Sequence, residues 1–217
     1  LYGGWQKQFV KNSYMSITED NPFITPFVSL QNSQKEDRYI GAKGSMNSVS
    51  YNARVGQEIT DNQPLYVNDN EIGNTFNVIF EPEMKTVNAQ VEIAYQMGDK
   101  LRTSLGFNAY SYTLEQEAEA WQLPSARINL KAEFKPLEKL QVTGELFVMS
   151  GAKGRLNDGM AQDLKNYTDL NLAAQYKLFD NLSVFANVNN ALGIKAERFL
   201  NYPTYGINML GGAILRF

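Results

Sequence analysis

The stretch VNAQVEIAYQMGDKLRTSLGFNAY, Val87 to Tyr110, decides the fold. Val87, Ala89, Val91, Ile93 and Tyr95 form one apolar set, and Asn88, Gln90, Glu92 and Gln96 lie between them. Beyond a short polar turn, Leu101, Thr103, Leu105 and Phe107 alternate with Arg102, Ser104 and Asn108. Side chains of a β-strand point alternately to opposite faces, so the stretch reads as two strands joined tightly, each with an apolar and a polar face.

The phrase at its centre recurs. YQMGDKL (Tyr95 to Leu101), FKPLEKL (Phe134 to Leu140) and YKLFDNL (Tyr176 to Leu182) each place Leu six residues after an aromatic, at intervals of 39 and 42 residues. The flanks of the other two copies alternate as well. Ala126, Ile128, Leu130, Ala132 and Phe134 oppose Arg127, Asn129, Lys131 and Glu133. Leu140, Val142, Leu146 and Val148, then Leu170, Leu172, Ala174 and Tyr176, then Leu182, Val184, Ala186 and Val188, continue the pattern.

Two architectures accommodate such strands. A sandwich buries the apolar face against a second sheet. A transmembrane β-barrel turns it to lipid and lines its lumen with the polar face. Three features favour the barrel. The strands run to roughly 10–12 residues, membrane-crossing length, against about 5–6 in soluble sheets. Tight turns at the repeated phrase alternate with long polar connections at 113–121, 151–166 and 191–206. Aromatics also gather where the apolar band ends, so Tyr95, Phe134 and Tyr176 are expected in a periplasmic aromatic girdle, with Leu101, Leu140 and Leu182 re-entering the hydrocarbon.

Composition narrows the function classes. The 217 residues include twelve Tyr and twelve Phe but no His and no Cys, and the net charge is −3 with both signs scattered. Disulfides and thiolate chemistry are thereby excluded, as are the commonest metal ligand and the usual neutral-pH general base. The chain is expected to be no enzyme, to need no cofactor or metal, and to bind no nucleic acid. No apolar run is long enough for a helical membrane span. The first residue is Leu and no signal peptide is recognisable, which suggests a processed product or a piece of a longer chain.

The carboxyl end carries a specific resemblance. NLSVFANVNNALGIKAERFLNYPTYGINMLGGAILRF (Asn181 to Phe217) resembles the end of TonB-dependent outer-membrane receptors, with an Asn-rich penultimate strand at Asn187 to Asn190, the pair Tyr202-Pro203 in a loop, and a closing strand ending on Phe. Gly41 to Asp69 and Glu119 to Phe134 are similar to barrel segments of receptor-like proteins of the Bacteroidetes group. The resemblance implies an all-β antiparallel transmembrane barrel over 1–217, or the carboxyl-terminal strands of a larger one of about 22 strands. No plug domain or TonB-binding box is recognisable, and residues 1–37 are read as a leading segment or loop.

The resemblance further implies a receptor that imports a scarce nutrient of the siderophore, glycan, peptide or vitamin class. The alternative is a receptor-like barrel without transport, acting as a structural or assembly partner in an envelope complex. Implied partners are outer-membrane lipid, the barrel-assembly machinery reading Phe217 and Leu215, TonB through a plug outside this chain, and other envelope proteins.

The expected strands lie near 38–44, 48–59, 86–97, 100–113, 121–135, 139–151, 166–177, 181–191 and 207–217, with a further candidate at 21–30. TFNVIF (Thr75 to Phe80) is read as an extracellular extension of the 86–97 strand, broken at Pro82. Loop aromatics and Arg suit ligand contact, which makes Tyr66 (in a 60–73 loop), Trp121, Arg155, Tyr202 and Tyr205 the candidates. The competing reading assigns Trp121 and the tyrosines to an outer aromatic girdle and leaves Arg155 solvated. Arg102, Arg127, Lys131, Glu133 and Glu145 are expected to pair across strands in the lumen. Asp158 is expected in a turn, and the Glu115, Glu117, Glu119 trio on soluble surface.

Overall fold

The computed structural model describes residues 1–26, 28–69, 75–156 and 158–217. In chain order its elements are β1 (Tyr2–Val10), α1 (Tyr14–Asp20), β2 (Ser33–Met46), β3 (Val49–Asn68), β4 (Phe76–Met97), β5 (Leu101–Leu114), β6 (Ala126–Leu137) and β7 (Leu140–Ser150). A small hairpin of β8 (Lys153–Arg155) and β9 (Ala161–Asp163) follows, then β10 (Tyr167–Phe179) and β11 (Leu182–Asn189). A second small hairpin, β12 (Glu197–Phe199) and β13 (Tyr202–Pro203), precedes β14 (Asn208–Leu215). Ten of the strands form one sheet in the order β1-β2-β3-β4-β5-β6-β7-β10-β11-β14, and the neighbours pair antiparallel throughout.

The register explains the repeated phrase. Phe134 lies directly opposite Leu101, and Tyr176 opposite Leu140. The aromatic of each copy therefore faces the Leu of the copy before it. Tyr95 faces Val49 in the same way, across from the two-residue turn at Asn47 and Ser48. The residue after each aromatic then docks on the preceding turn. Gln96, Lys135 and Lys177 donate their backbone N–H groups to the carbonyls of Ser48, Lys100 and Lys139, at 2.9, 2.8 and 2.8 Å. β14 repeats the arrangement with Leu215 opposite Leu182 and the N–H of Arg216 on Asn181 O at 2.9 Å. The interval near 40 residues is thus one strand out, a long connection, one strand back and a tight turn. The turns carry the backbone this needs: Asn47 and Gly98 both adopt positive φ (53° and 50°).

The two faces of the sheet separate by chemistry. One cross-strand row reads Tyr51, Ile93, Leu105, Leu130, Leu146 and Leu170. Val87, Val91, Ile93, Leu105, Phe107, Leu130 and Leu172 are all exposed, and no second sheet covers them among the described residues. That excludes the sandwich. The opposite face forms a trough of about 1010 Å³ to which Lys43, Asn52, Glu92, Lys131, Glu145 and Asn171 contribute. Lys131 there bridges Glu145 across the strand pair at 2.9 Å and Glu133 of its own strand at 3.3 Å, whereas Arg102 and Arg127, expected to pair likewise, make no ion pair among the described residues.

The segment 1–37 holds β1, α1 and the first residues of β2. β1 pairs along β2 from Tyr2↔Gly41 to Val10↔Ser33, and the Tyr2 ring lies so close over Gly41 that a Cβ there would collide with it and with Ala53 O. α1 is held by a capping box, in which Ser13 Oγ accepts from Ser16 N at 3.1 Å and Ser16 Oγ accepts from Ser13 N at 2.9 Å. The strand candidate at 21–30 yields one isolated bridge, Ile24↔Phe76, and its Phe27 lies outside the described residues. TFNVIF does extend the following strand. Pro82 does not break it, because the ladder passes from Asp61↔Glu83 to Gln63↔Glu81 in unchanged register. The residue facing Pro82, Asn62, takes a positive φ of 54°, so the missing proline N–H is absorbed locally.

Candidate functional site

At the end opposite the tight turns, β3 and β4 run past their neighbours as a two-stranded extension. Its sequence is apolar at consecutive positions because both faces are covered. On one face Leu65, Val67 and Ile79 pack with Trp121, Leu114 and Leu123. On the other, Tyr66, Phe76, Val78 and Phe80 pack with Ile17 of α1, Phe23, Ile24, Phe199 and Tyr202. Phe23 stacks on Tyr202 with ring centroids 3.6 Å apart, and Phe199 meets Phe76 at 5.7 Å and Tyr66 at 6.4 Å. Segments far apart in sequence, 17–24 and 199–202, thereby meet on one face of the extension.

A buried carboxylate anchors the long β5–β6 connection. Glu81 is 1% exposed. Its Oε1 accepts from the backbone N–H groups of Glu115 (2.5 Å) and Gln116 (2.7 Å), and its Oε2 from that of Glu117 (3.0 Å). Glu117 Oε2 in turn accepts from Trp121 Nε1 at 2.7 Å and lies 3.6 Å from Arg155. Glu119 takes Lys153 at 2.5 Å, and this hydrogen bond holds the lysine above its usual range. The Glu115, Glu117, Glu119 trio is therefore structural rather than plain soluble surface: its backbone and side chains tie the connection to β4 and to the β8–β9 hairpin. Glu81→Ala would leave the backbone N–H groups of Gln116 and Glu117 without an acceptor, whereas that of Glu115 keeps Glu83 O at 3.2 Å, at about 1–3 kcal/mol for each donor left unpaired. The amides of Gln116 and Glu117 should then exchange at least about tenfold faster in hydrogen–deuterium exchange, with the β6–β7 amides unchanged. Unchanged protection at 116 and 117 would show that Glu81 does not hold the connection.

The sequence candidates fall into three groups. Tyr66 belongs to β3 and not to a 60–73 loop; residues 70–73 of that loop lie outside the described residues. It is 6% exposed, and its hydroxyl donates to Ile17 O at 3.3 Å and lies 3.5 Å from Asp20 Oδ2. Burial, reinforced by Asp20, pushes that hydroxyl far above the ordinary tyrosine range, so it stays a donor. Tyr202 joins the same aromatic cluster. Trp121, 2% exposed, and Arg155 meet at Glu117, away from Tyr66. Trp121 is thus buried in a loop-end core, and Arg155 is ion-paired rather than simply solvated. Tyr205 is 95% exposed and stands apart. Asp158 is in a turn as expected, its Oδ1 accepting from Met160 N at 2.9 Å; Asn157 beside it lies outside the described residues.

Beneath the aromatic roof is a cavity of about 530 Å³, within the range of small-molecule sites. Asp20, Tyr66, Arg198 and Phe199 face it from above, and Arg127, Phe147, Tyr167 and Asp169 from the sheet. Gln122 to Pro124 close one side. Phe147 meets Tyr167 edge-on at 5.5 Å, and the Arg127 guanidinium sits 5.9 Å from the Tyr110 ring. Tyr66 reaches this site. Gln122, Tyr167, Asp169 and Arg198 went unrecognised in the sequence. One signal was available: Phe147 and Tyr167 occupy positions on the polar face of their strands.

No protein-family model matches the sequence, and no curated protein matches it. Solved structures do. The pyoverdine outer membrane receptor FpvA from Pseudomonas aeruginosa PAO1 superposes with TM-score 0.72 at 14% identity, covering 99% of this chain and 33% of that one. The copper transporter OprC gives TM-score 0.70 at 11% identity, over 99% and 37%. The ferric-catecholate import receptor Fiu from E. coli K12 gives 0.68 at 12% identity, over 98% and 32%. The chain therefore spans about a third of the length of these structures. At such identities the likeness shows the fold alone: part of the wall of an antiparallel outer-membrane β-barrel.

Proposed function

We propose that this chain is the carboxyl-terminal part of a TonB-dependent receptor, located in the outer membrane as a multi-pass barrel and importing a scarce solute. The observation that carries this reading is the juxtaposition of an outward apolar band, a polar trough behind it, and a roofed, charged cavity where the trough meets the long connections. Lipid is the solvent for the first, and water and solute for the others. Among the described residues, β1 and β14 each pair on one side only. Unpaired backbone in hydrocarbon costs several kcal/mol per group, so further strands complete the barrel wall. A plug outside this chain would couple it to TonB. The similarity of Gly41 to Asp69 and of Glu119 to Phe134 to receptor-like proteins supports the Bacteroidetes type.

Within this reading, Phe134 and Tyr176, which are exposed, and Tyr95, which is half-exposed, form the periplasmic girdle on the outward face. Leu215 and Phe217 are the residues offered to the barrel-assembly machinery. Phe217 lies two residues past the end of β14 and is fully exposed.

Deletion of the gene and complementation with the full-length protein test the import role. Cells are assayed for energised accumulation of a ferric siderophore, an oligosaccharide, a short peptide and cobalamin. Loss of one class on deletion, restored by complementation, is the expected result. Unchanged accumulation of all four, with other envelope proteins lost from the membrane, would overturn import in favour of a structural role.

A further inference from the structure

We infer that the two feet of the β11–β14 connection, at 190–194 and 205–207, seat in the outer leaflet of the membrane, with lipid as their partner. Acyl chains meet Leu192, Ile194 and Ile207, and headgroups meet Tyr205 and Lys195. The inference goes beyond the receptor reading and rests only on the outward face meeting lipid.

Strand length is the first reason. β11 and β14 have eight residues each. At about 3.4 Å per residue and a tilt of about 45°, eight residues rise about 19 Å, short of a lipid-facing band about 25 Å tall. The neighbouring β10 has thirteen residues and rises about 31 Å on the same reckoning. At this place in the wall, the top of the band therefore falls on chain beyond the strands.

That chain is apolar. No charged residue occurs from Leu182 to Ile194 or from Phe199 to Leu215, so both uncharged stretches outrun their strands into the connection. Leu192, Ile194 and Ile207 are all exposed. Ile207 falls in the same alternate series as Met209, Gly211, Ala213 and Leu215, which pair with the outward residues Val188, Ala186, Val184 and Leu182. Lys195, the first charge past Ile194, and Tyr205, 95% exposed, stand where the apolar chain ends. A long cation and an amphipathic ring are the anchors suited to a membrane–water boundary.

The hydrogen bonds are the second reason. Irregular backbone beside hydrocarbon has to find its partners within the protein. Asn190 is buried, at φ 46°, and its Nδ2 donates to Ile194 O at 3.0 Å and to Tyr205 O at 2.8 Å, one carbonyl in each foot. Its Oδ1 has no partner among the described residues. Its backbone N–H donates to Asn171 Oδ1 at 3.1 Å, that of Ala191 to Leu170 O at 2.7 Å, and that of Gly193 to Asn190 O at 2.8 Å. One side chain thus clamps both feet and takes up carbonyls that water would otherwise have to serve.

The test places single cysteines at Leu192, Ile207 and Asn201, the last on the β12–β13 turn, with Leu130 as the strand control. Each carries a fluorophore in the full-length protein, reconstituted in phosphatidylcholine vesicles. Nitroxides attached to the acyl chain near the headgroup should quench positions 192 and 207 at least about threefold more than aqueous iodide does, and iodide alone should quench position 201. Asn190→Ala, with its heat-resistant barrel band unchanged on gels, should turn position 192 over to iodide. Quenching of 192 and 207 by iodide alone, or protection of both from either agent by covering protein, would overturn the lipid assignment. If position 130 were still quenched from the acyl chains, the barrel and receptor readings would stand while this inference failed. Lipid quenching at 192 that survived Asn190→Ala would show that the Asn190 clamp does not seat the loop.

Discussion

Leu130→Arg should leave almost no heat-resistant barrel in the outer membrane, whereas Asn129→Arg, one residue away, should insert normally. Leu130 sits mid-strand on the outward face between Leu105 and Leu146. It lies four residues above Phe134, about 13 Å along the strand. An Arg facing lipid near the bilayer midplane costs about 2–4 kcal/mol. Such a loss is a large fraction of the net stability of a domain, about 5–15 kcal/mol. Asn129 belongs to the polar row with Gly106 and Phe147, where an added guanidinium stays in water. Gel mobility of unheated membranes measures both variants. Equal insertion would mean that position 130 does not face lipid.

Trp121→Ala should open the loop end without unseating the barrel. Deleting so large a buried aromatic costs about 3–5 kcal/mol, because Leu65 and Val67 lose their cover and a cavity remains. Glu117 also loses its indole donor and keeps only Arg155. Protease added to intact cells should cut within 115–125, which is resistant in the parent, while barrel levels stay near normal. Trp121→Phe restores packing but no donor and should fall between. If Trp121→Ala altered ligand affinity alone and left protection intact, Trp121 would be a ligand contact rather than a core residue.

These two residues mark what was legible in the sequence. Leu130 could be read because alternation reports the environment of each strand face directly, and the strands of the large sheet from Ser33 onward followed from it to within about five residues except where β3 and β4 lengthen, whereas the short hairpins β8–β9 and β12–β13 fell in stretches read as long polar connections. Trp121 could not. Its partners Leu65 and Val67 lie more than fifty positions earlier, and no periodicity links a loop indole to the strand it caps. The same holds for Tyr66, assigned to a loop because PLYV, covered on both faces, shows no alternation to read. α1 is only about two turns long with a single buried residue, Ile17, too brief for a helical pattern. The glutamate trio looked like solvated surface because the carboxylate that organises it, Glu81, comes from another strand. The repeated phrase was read for its aromatics, and the register adds that each aromatic stands against the Leu of the phrase before.

The central claim is that one face of this sheet meets lipid and the other the lumen. Single cysteines at Ile93, Leu130 and Leu172, and at Glu92, Lys131 and Asn171, carrying a fluorophore in the membrane-inserted full-length protein, test it most directly. A quencher confined to the lipid acyl chains should extinguish the first three and spare the second three, and aqueous iodide should do the reverse. Equal quenching of both sets by either agent, or protection of Leu130 from both, would contradict the claim.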